Sequence, residues 1–404
     1  MHGVSLLKLS SRWCFYINLP VGAITILTLV IIQIPDARIE SAKVKTTALA
    51  KIARLDLVGC VLFCGSVVTL LLALDWGGVT YQWNSLVIVN LFWTTAFCFL
   101  LFLIWEYYKG EAAMLPLSLF SNPIISFASV TGIMSYGGLY VIIIYLPMWF
   151  QAVKGVGPLA SGVYYLPSVV TSTISTIATG ILVSMVGYYT PFMIIGGALA
   201  AIAAGLMTTF TPHASVAAWV CFQLLNGVAR GMMAQIPVTA IQSNLPKDMI
   251  SVGTALVVFS QNLGAAVFIS LGQTSFENSL VSALHRLAPE VNAKIVASVG
   301  ATAFTRVVKP ESVPRVLDAF NEALTNTFYL SVGSSVAVFG LSFGLGWKNL
   351  KKAQEEEEKK GNIPIQKRQS YPTATKRYSA RRVSLQRVGS LRESINSNRN
   401  SLII

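Results

Sequence analysis

Apolar residues gather along this chain into long runs, separated by short polar, Gly- or Pro-bearing stretches such as Asp75-Trp76-Gly77-Gly78 and Lys154-Gly155-Val156-Gly157-Pro158. A helix needs ~20 mostly apolar residues to cross the hydrocarbon core of a bilayer. Nine runs qualify: 14–35, 57–74, 84–105, 124–149, 159–185, 191–210, 216–241, 251–272 and 326–347. None alternates with the period of two expected of barrel strands. The pattern predicts an all-α polytopic membrane protein, because a soluble fold would need one implausibly large core to bury every run.

Composition agrees with that pattern. Of 404 residues, 54% are apolar and 12% charged, against ~25% charged in soluble domains. A water-soluble enzyme and a disordered chain are both excluded, and five cysteines do not make a disulfide scaffold. The net charge of +13 is unevenly spread: residues 348–404 carry 14 Lys/Arg against 5 Asp/Glu, and residues 1–347 carry 16 against 12. The tail is Ser/Arg-rich without apolar periodicity, which predicts disorder. A basic tail beside a membrane is accounted for by anionic lipid and topology, so no nucleic-acid partner is expected.

Arg38, Lys43, Lys45, Lys51 and Arg54 in the first loop, with Lys348, Lys351 and Lys352 after the last run, place both segments in the cytoplasm. Residues 1–12 have no signal-peptide pattern, although nine spans put them outside. Within the long outer connection 273–325, Val313, Leu317, Phe320 and Leu324 recur at helical spacing. They predict an amphipathic helix lying on the membrane surface or packed on the outer mouth of the bundle.

The run Arg12-Trp13-Cys14-Phe15-Tyr16-Ile17-Asn18-Leu19-Pro20-Val21-Gly22 closely resembles the one that opens the sixth span in the fungal fourteen-span drug:proton antiporters of the major facilitator superfamily. Further segments follow in the family's order. Leu72 to Gly78 with Trp83 is similar to the end of span seven, and Met114 to Phe120 to the loop before span nine. Tyr145 to Gly155, Ser161-Gly162-Val163 and Leu166-Pro167 resemble spans nine and ten. Gly227 to Pro237 resembles span twelve, Phe259 to Gly264 span thirteen, and Phe320 to Leu324 the entry to the last span.

This resemblance implies a major facilitator superfamily-like helical bundle with an incomplete N-terminal half. Its parts are residues 1–35, the last span of that half; 36–56, a cytoplasmic basic loop; 57–122, two linker spans; 123–347, a six-span C-terminal half containing the loop 273–325; and 348–404, a cytoplasmic tail. The five spans that precede WCFYINLP in the family have no counterpart here, which suggests an N-terminal truncation and a chain that does not transport alone. The implied activity is proton-coupled efflux of small hydrophobic drugs, toxins or secondary metabolites across the plasma membrane, or the vacuolar one, by alternating access. The implied partners are lipid, substrate and protons, with no cofactor. A non-transporting orphan half or accessory subunit is the alternative.

Polar residues at mid-membrane depth are the candidate site. Arg230 lies eleven residues beyond Trp219 and eleven before Ile241, and Gln223 and Asn226 share its helical stripe. The stripe either binds a polar or anionic group of substrate, or is structural, held by carbonyls where Gly227 and Gly231 admit a neighbouring helix. Gln261 and Asn262 offer hydrogen bonds to a cavity or between helices. Tyr140 and Tyr145, with Tyr136, Tyr164 and Tyr165, are candidate aromatic walls or interfacial belts. Pro147, Pro167 and Pro237 are candidate hinges.

Asp56, Asp75 and Glu106 fall at span ends, where water solvates them cheaply, and no carboxylate lies mid-span. A coupling carboxylate is therefore expected outside this set, since a guanidinium stays charged. Cys60 and Cys64 share a face but lack His or Asp neighbours, so no metal site is expected. No Gly-x4-Gly-Lys-Ser/Thr loop or nucleophile–base set is visible, which argues against an enzyme or an ATP-driven pump. Ser384 and Ser390, each three residues after an arginine, are candidate phosphorylation sites.

Overall fold

The computed structural model describes residues 16, 18–31, 56–78, 80–110, 115, 119–120, 122–246, 249–291, 296 and 308–351. They belong to two units, residues 1–55 and 56–404. In the first, α1 (Asn18–Ile31) carries Pro20 in its first turn, where a missing N–H breaks no helical bond.

The second unit holds nine helices among its described residues: α2 (Leu57–Trp76), α3 (Leu86–Lys109), α4 (Pro123–Ala152), α5 (Pro158–Val186), α6 (Thr190–Met207), α7 (Val216–Met233), α8 (Ile236–Asn244), α9 (Ile250–Leu287) and α10 (Val313–Ser342). Local sequence sets many of their ends. Asp56, Ser85, Asn122 and Ser215 cap the starts of α2, α3, α4 and α7 through side-chain oxygens. Gly187, at φ 81°, closes α5 in the left-handed conformation that glycine reaches without strain.

Among the described residues seven helices are long and apolar enough to cross a membrane: α2 to α6, α9 and α10. The run 216–241 resolves into α7 and α8, broken at Ala234–Gln235. Pro237, just past the break, has no N–H for the carbonyl of Met233 four residues earlier. Two helices outrun their apolar runs. The run 251–272 becomes α9, 38 residues or ~57 Å long, and the run 326–347 becomes α10, which starts at Val313. The amphipathic segment 313–324 is thus the first turns of α10. Phe320 and Leu324 are fully buried there in the bundle's own core, which selects packing on the mouth over lying on the membrane surface.

In the second unit α4 packs on α9 and α10, α6 on α7 and α10, and α5 on α7. The α2–α3 hairpin joins through α9, where Phe63 meets Phe259 edge-on at 5.0 Å and Thr274 Oγ1 donates to Leu74 O at 3.0 Å. Two apolar cores fill the bundle. One centres on Trp149, Phe210, Trp219 and Phe320; the other on Tyr189, Met193, Ile236 and Val338. Outward faces are apolar too: Ile174, Ile177 and Ile181 on α5 and Trp93 and Phe97 on α3 are exposed. In water these faces would aggregate, whereas lipid tails accept them at no cost.

Two span-end carboxylates are solvated by protein instead of water. Asp56, 8% exposed, accepts from Gly59 N, Trp105 Nε1 and Lys109 Nζ at 3.1, 2.8 and 3.1 Å. Glu106, 1% exposed, accepts from Leu115 N at 3.0 Å. The α2–α3 pairing brings indole, ammonium and amide donors to positions that span boundaries alone assign to water.

Candidate functional site

Between the two apolar cores runs a polar layer built on α7. Gln223, Asn226 and Arg230 line one face of this helix and are 0%, 0% and 4% exposed. Toward α5, Gln223 Nε2 donates to Tyr164 O at 3.0 Å and Asn226 Nδ2 to Ser168 Oγ at 3.3 Å. Ser175 Oγ returns a bond to Val228 O at 2.8 Å. These bonds need the backbones close together. A Cβ on Gly227 would stand 2.6 Å from Ser168 O, and one on Gly231 2.5 Å from Ser172 O, so only glycine permits the approach.

Arg230 reaches to two further helices. Its Nη1 donates to Ser135 O on α4 at 2.9 Å, and its Nη2 to Ser331 Oγ and Ser335 Oγ on α10 at 2.9 and 3.4 Å. Ser331 Oγ passes a bond to Gly138 O at 2.9 Å. The described ion pairs lie elsewhere: Lys109–Asp56, Arg286–Glu322 and Arg315–Glu290. Arg230 is therefore a buried cation held by neutral acceptors, with no carboxylate among the described residues paired to it. Burying an ion costs several kcal/mol, and a few hydrogen bonds offset that only in part. Arg230 Nε, Gln223 Oε1 and Asn226 Oδ1 remain buried without a partner among the described residues. The layer clamps α4, α7 and α10 together and holds unspent hydrogen-bonding capacity.

Of the other candidates, Gln261 on α9 is 4% exposed, packs against Gly132 of α4, and has an unpartnered Nε2. Asn262 turns outward and donates to Val258 O of its own helix at 2.9 Å. Tyr145 is buried in the Trp149 core, its ring 6.0 Å from that of Phe276, and Tyr140 is half-buried. Pro147 and Pro167 lie inside α4 and α5. Ser384 and Ser390 fall outside the described residues. The sequence reading missed Ser135, Ser331 and Ser335 as partners of Arg230. The available signal was the i, i+4 spacing of Ser331 and Ser335 within an otherwise apolar run.

A profile of the Major Facilitator Superfamily matches residues 3–269. The chain belongs to this superfamily. Among its relatives are the MFS-type transporter pigP of Monascus ruber, 41% identical over 340 residues, and the efflux pump mlcE of Penicillium citrinum, 38% identical over 346. The MFS-type efflux pump MFS1 of Trichophyton rubrum is 36% identical over 345 residues. The matches take in 84, 84 and 85% of this chain but 60, 63 and 64% of these relatives' lengths. Superfamily membership and seven spanning helices make this an integral, multi-pass membrane protein. All three relatives bear the names of transporters or pumps, none that of an enzyme.

Proposed function

We propose that the protein is an efflux transporter for small hydrophobic molecules, working by alternating access and driven by protons. The observation that supports this most is the polar layer: a buried guanidinium without a counter-charge among the described residues, flanked by amide oxygens equally unpartnered among them. Intramembrane charges are expensive and are kept where they serve a substrate or ion pathway. In this reading Arg230, Gln223 and Asn226 engage a polar or anionic group of the substrate, Gln261 lines the path, and apolar and aromatic walls take the remainder. The relatives' names as efflux pumps support the export direction. Arg230 does not carry the proton, so a carboxylate beyond the described half supplies that step.

Alternating access rocks two halves about a central site. The described half needs a second one facing it, from the same polypeptide or another. The positively charged segments put the C-terminus in the cytoplasm, and the plasma membrane is the location that export requires. The test is dye or metabolite export by yeast expressing the protein. Arg230→Ala should abolish export while the protein still reaches the cell surface. Export at the unaltered rate with Arg230→Ala would reduce the layer to a purely structural clamp and overturn this reading.

A further inference from the structure

We propose that a cavity between α5, α8 and the segment after α10 is a specific site for an anionic phospholipid. The cavity, about 260 Å³, opens at the Tyr189 end of the bundle, beneath Leu350 and Lys351 and beside the α7–α8 break. Gly231 and Met232 of α7 reach its wall, but Gln223, Asn226 and Arg230 do not, so it is separate from the transport site proposed above.

The mouth is fixed by the fold. Tyr189 Oη donates to Leu345 O at 2.9 Å, Leu350 N to Gly187 O at 2.8 Å, and Lys351 N to Asn349 Oδ1 at 3.0 Å. Lys348 Nζ also donates to Ser243 O on α8. The segment is thereby strapped across the α5–α6 turn, which holds Lys351 at the rim. Lys351 is exposed and forms no ion pair among the described residues.

Inside, Thr179 is only 6% exposed, faces the cavity, and makes no side-chain hydrogen bond among the described residues. The Gln235 amide, also in the wall, is exposed and equally unpartnered among them. An ammonium, a hydroxyl and an amide thus line one cavity with donors that no described side chain engages, the chemistry of a phosphodiester site. Gly180 makes the room: a Cβ there would meet nothing within 4 Å.

Lipid, not a free anion, fits the rest of the wall. Val183, Met232, Ile236 and Leu350 are apolar, and the adjacent outward face of α5 exposes Ile174, Ile177 and Ile181. A soluble phosphate would leave this surface wet, while an acyl chain covers it. Basic pockets between membrane helices near the interface recognise anionic headgroups in this way.

The test is native mass spectrometry of the purified 404-residue protein in micelles doped with dioleoyl phosphatidylserine or dioleoyl phosphatidylcholine. One well-placed lysine should give roughly fivefold greater retention of the serine lipid. Lys351→Gln and Thr179→Val should each reduce that preference. Gly180→Phe, which puts a ring into the cavity, should abolish it, and Gly180→Ala, whose Cβ meets nothing within 4 Å, should leave it intact. The basic tail is the same in every variant, so binding to the tail alone would survive Gly180→Phe and overturn the proposal. Equal retention of the two lipids would also overturn it. So would displacement of the serine lipid by inorganic phosphate at millimolar concentration, which would mark a soluble-anion site.

Discussion

Trp149 Nε1 donates to Asn321 Oδ1 at 2.8 Å, joining residues 172 positions apart. Asn321 Nδ2 in turn donates to Phe210 O at 2.9 Å, so one amide ties α4, α10 and the α6–α7 connection together. The Trp149 ring is fully buried and stacks on Phe210 at 4.7 Å, and Lys154 lies 5.4 Å above it. Asn321→Leu would strand a buried indole N–H and a carbonyl. A loss of about 1–3 kcal/mol per stranded group is expected, read as a lower Tm of the purified protein. An unchanged Tm would show that this end is held by ring packing alone.

The Arg230 clamp can be weakened without removing the charge. Ser331→Ala deletes both an acceptor for Nη2 and the donor to Gly138 O. The expected cost is about 1.5–3 kcal/mol, the range for hydrogen bonds to charged groups. A double-mutant cycle of Ser331→Ala with Arg230→Met should show coupling of at least ~0.5 kcal/mol, because the partners touch. Additive effects would mean that the two side chains act independently.

Close approach of α5 and α7 depends on Gly231. A side chain there meets Ser172 O and, at 2.5 Å, Ser175 Cβ. Gly231→Val should force the helices apart and cost ~1–3 kcal/mol by overpacking. It should also break the Ser175–Val228 bond beside it. Faster hydrogen exchange of the α7 backbone is the readout, and exchange matching the parent protein would refute the close-packing requirement.

Acid should loosen the start of α10. Glu290 accepts from Ser312 Oγ at 2.8 Å and pairs with Arg315 at 2.8 Å. Hydrogen bonds from its own backbone and from Ser312, then the Arg315 charge, hold its carboxyl below the ordinary glutamate value. A carboxylate with a depressed folded pKa contributes stability in full above its unfolded pKa. That contribution is lost as pH falls through the folded value. Hydrogen-exchange protection at residues 312–316, taken relative to the intrinsic rate at each pH, should therefore fall in acid, and Glu290→Gln should show the reduced protection already at neutral pH. A flat pH profile in the parent protein would dismiss the coupling.

Much of this molecule is legible in the residues alone. The ~20-residue apolar runs fix that helices cross a membrane and roughly where, because water cannot satisfy backbone groups in hydrocarbon. The ordered motifs from Trp13 to Leu324 carry the family resemblance, and the helical stripe Gln223–Asn226–Arg230 is visible as spacing. Tertiary structure decided what those residues touch. Hydropathy measures transfer to lipid and cannot see that Phe320 and Leu324 have helix partners, so it began α10 late, as it ended α9 early. It likewise assigned Asp56 and Glu106 to water, because the donors that bury them come from sequence-distant Trp105 and Lys109 and from the Leu115 amide. Arg230 is the sharpest instance. Its cost is set by sequence, but only the approach of α4 and α10 brings the Ser135 carbonyl and the Ser331 and Ser335 hydroxyls to a charge that has no partner on its own helix.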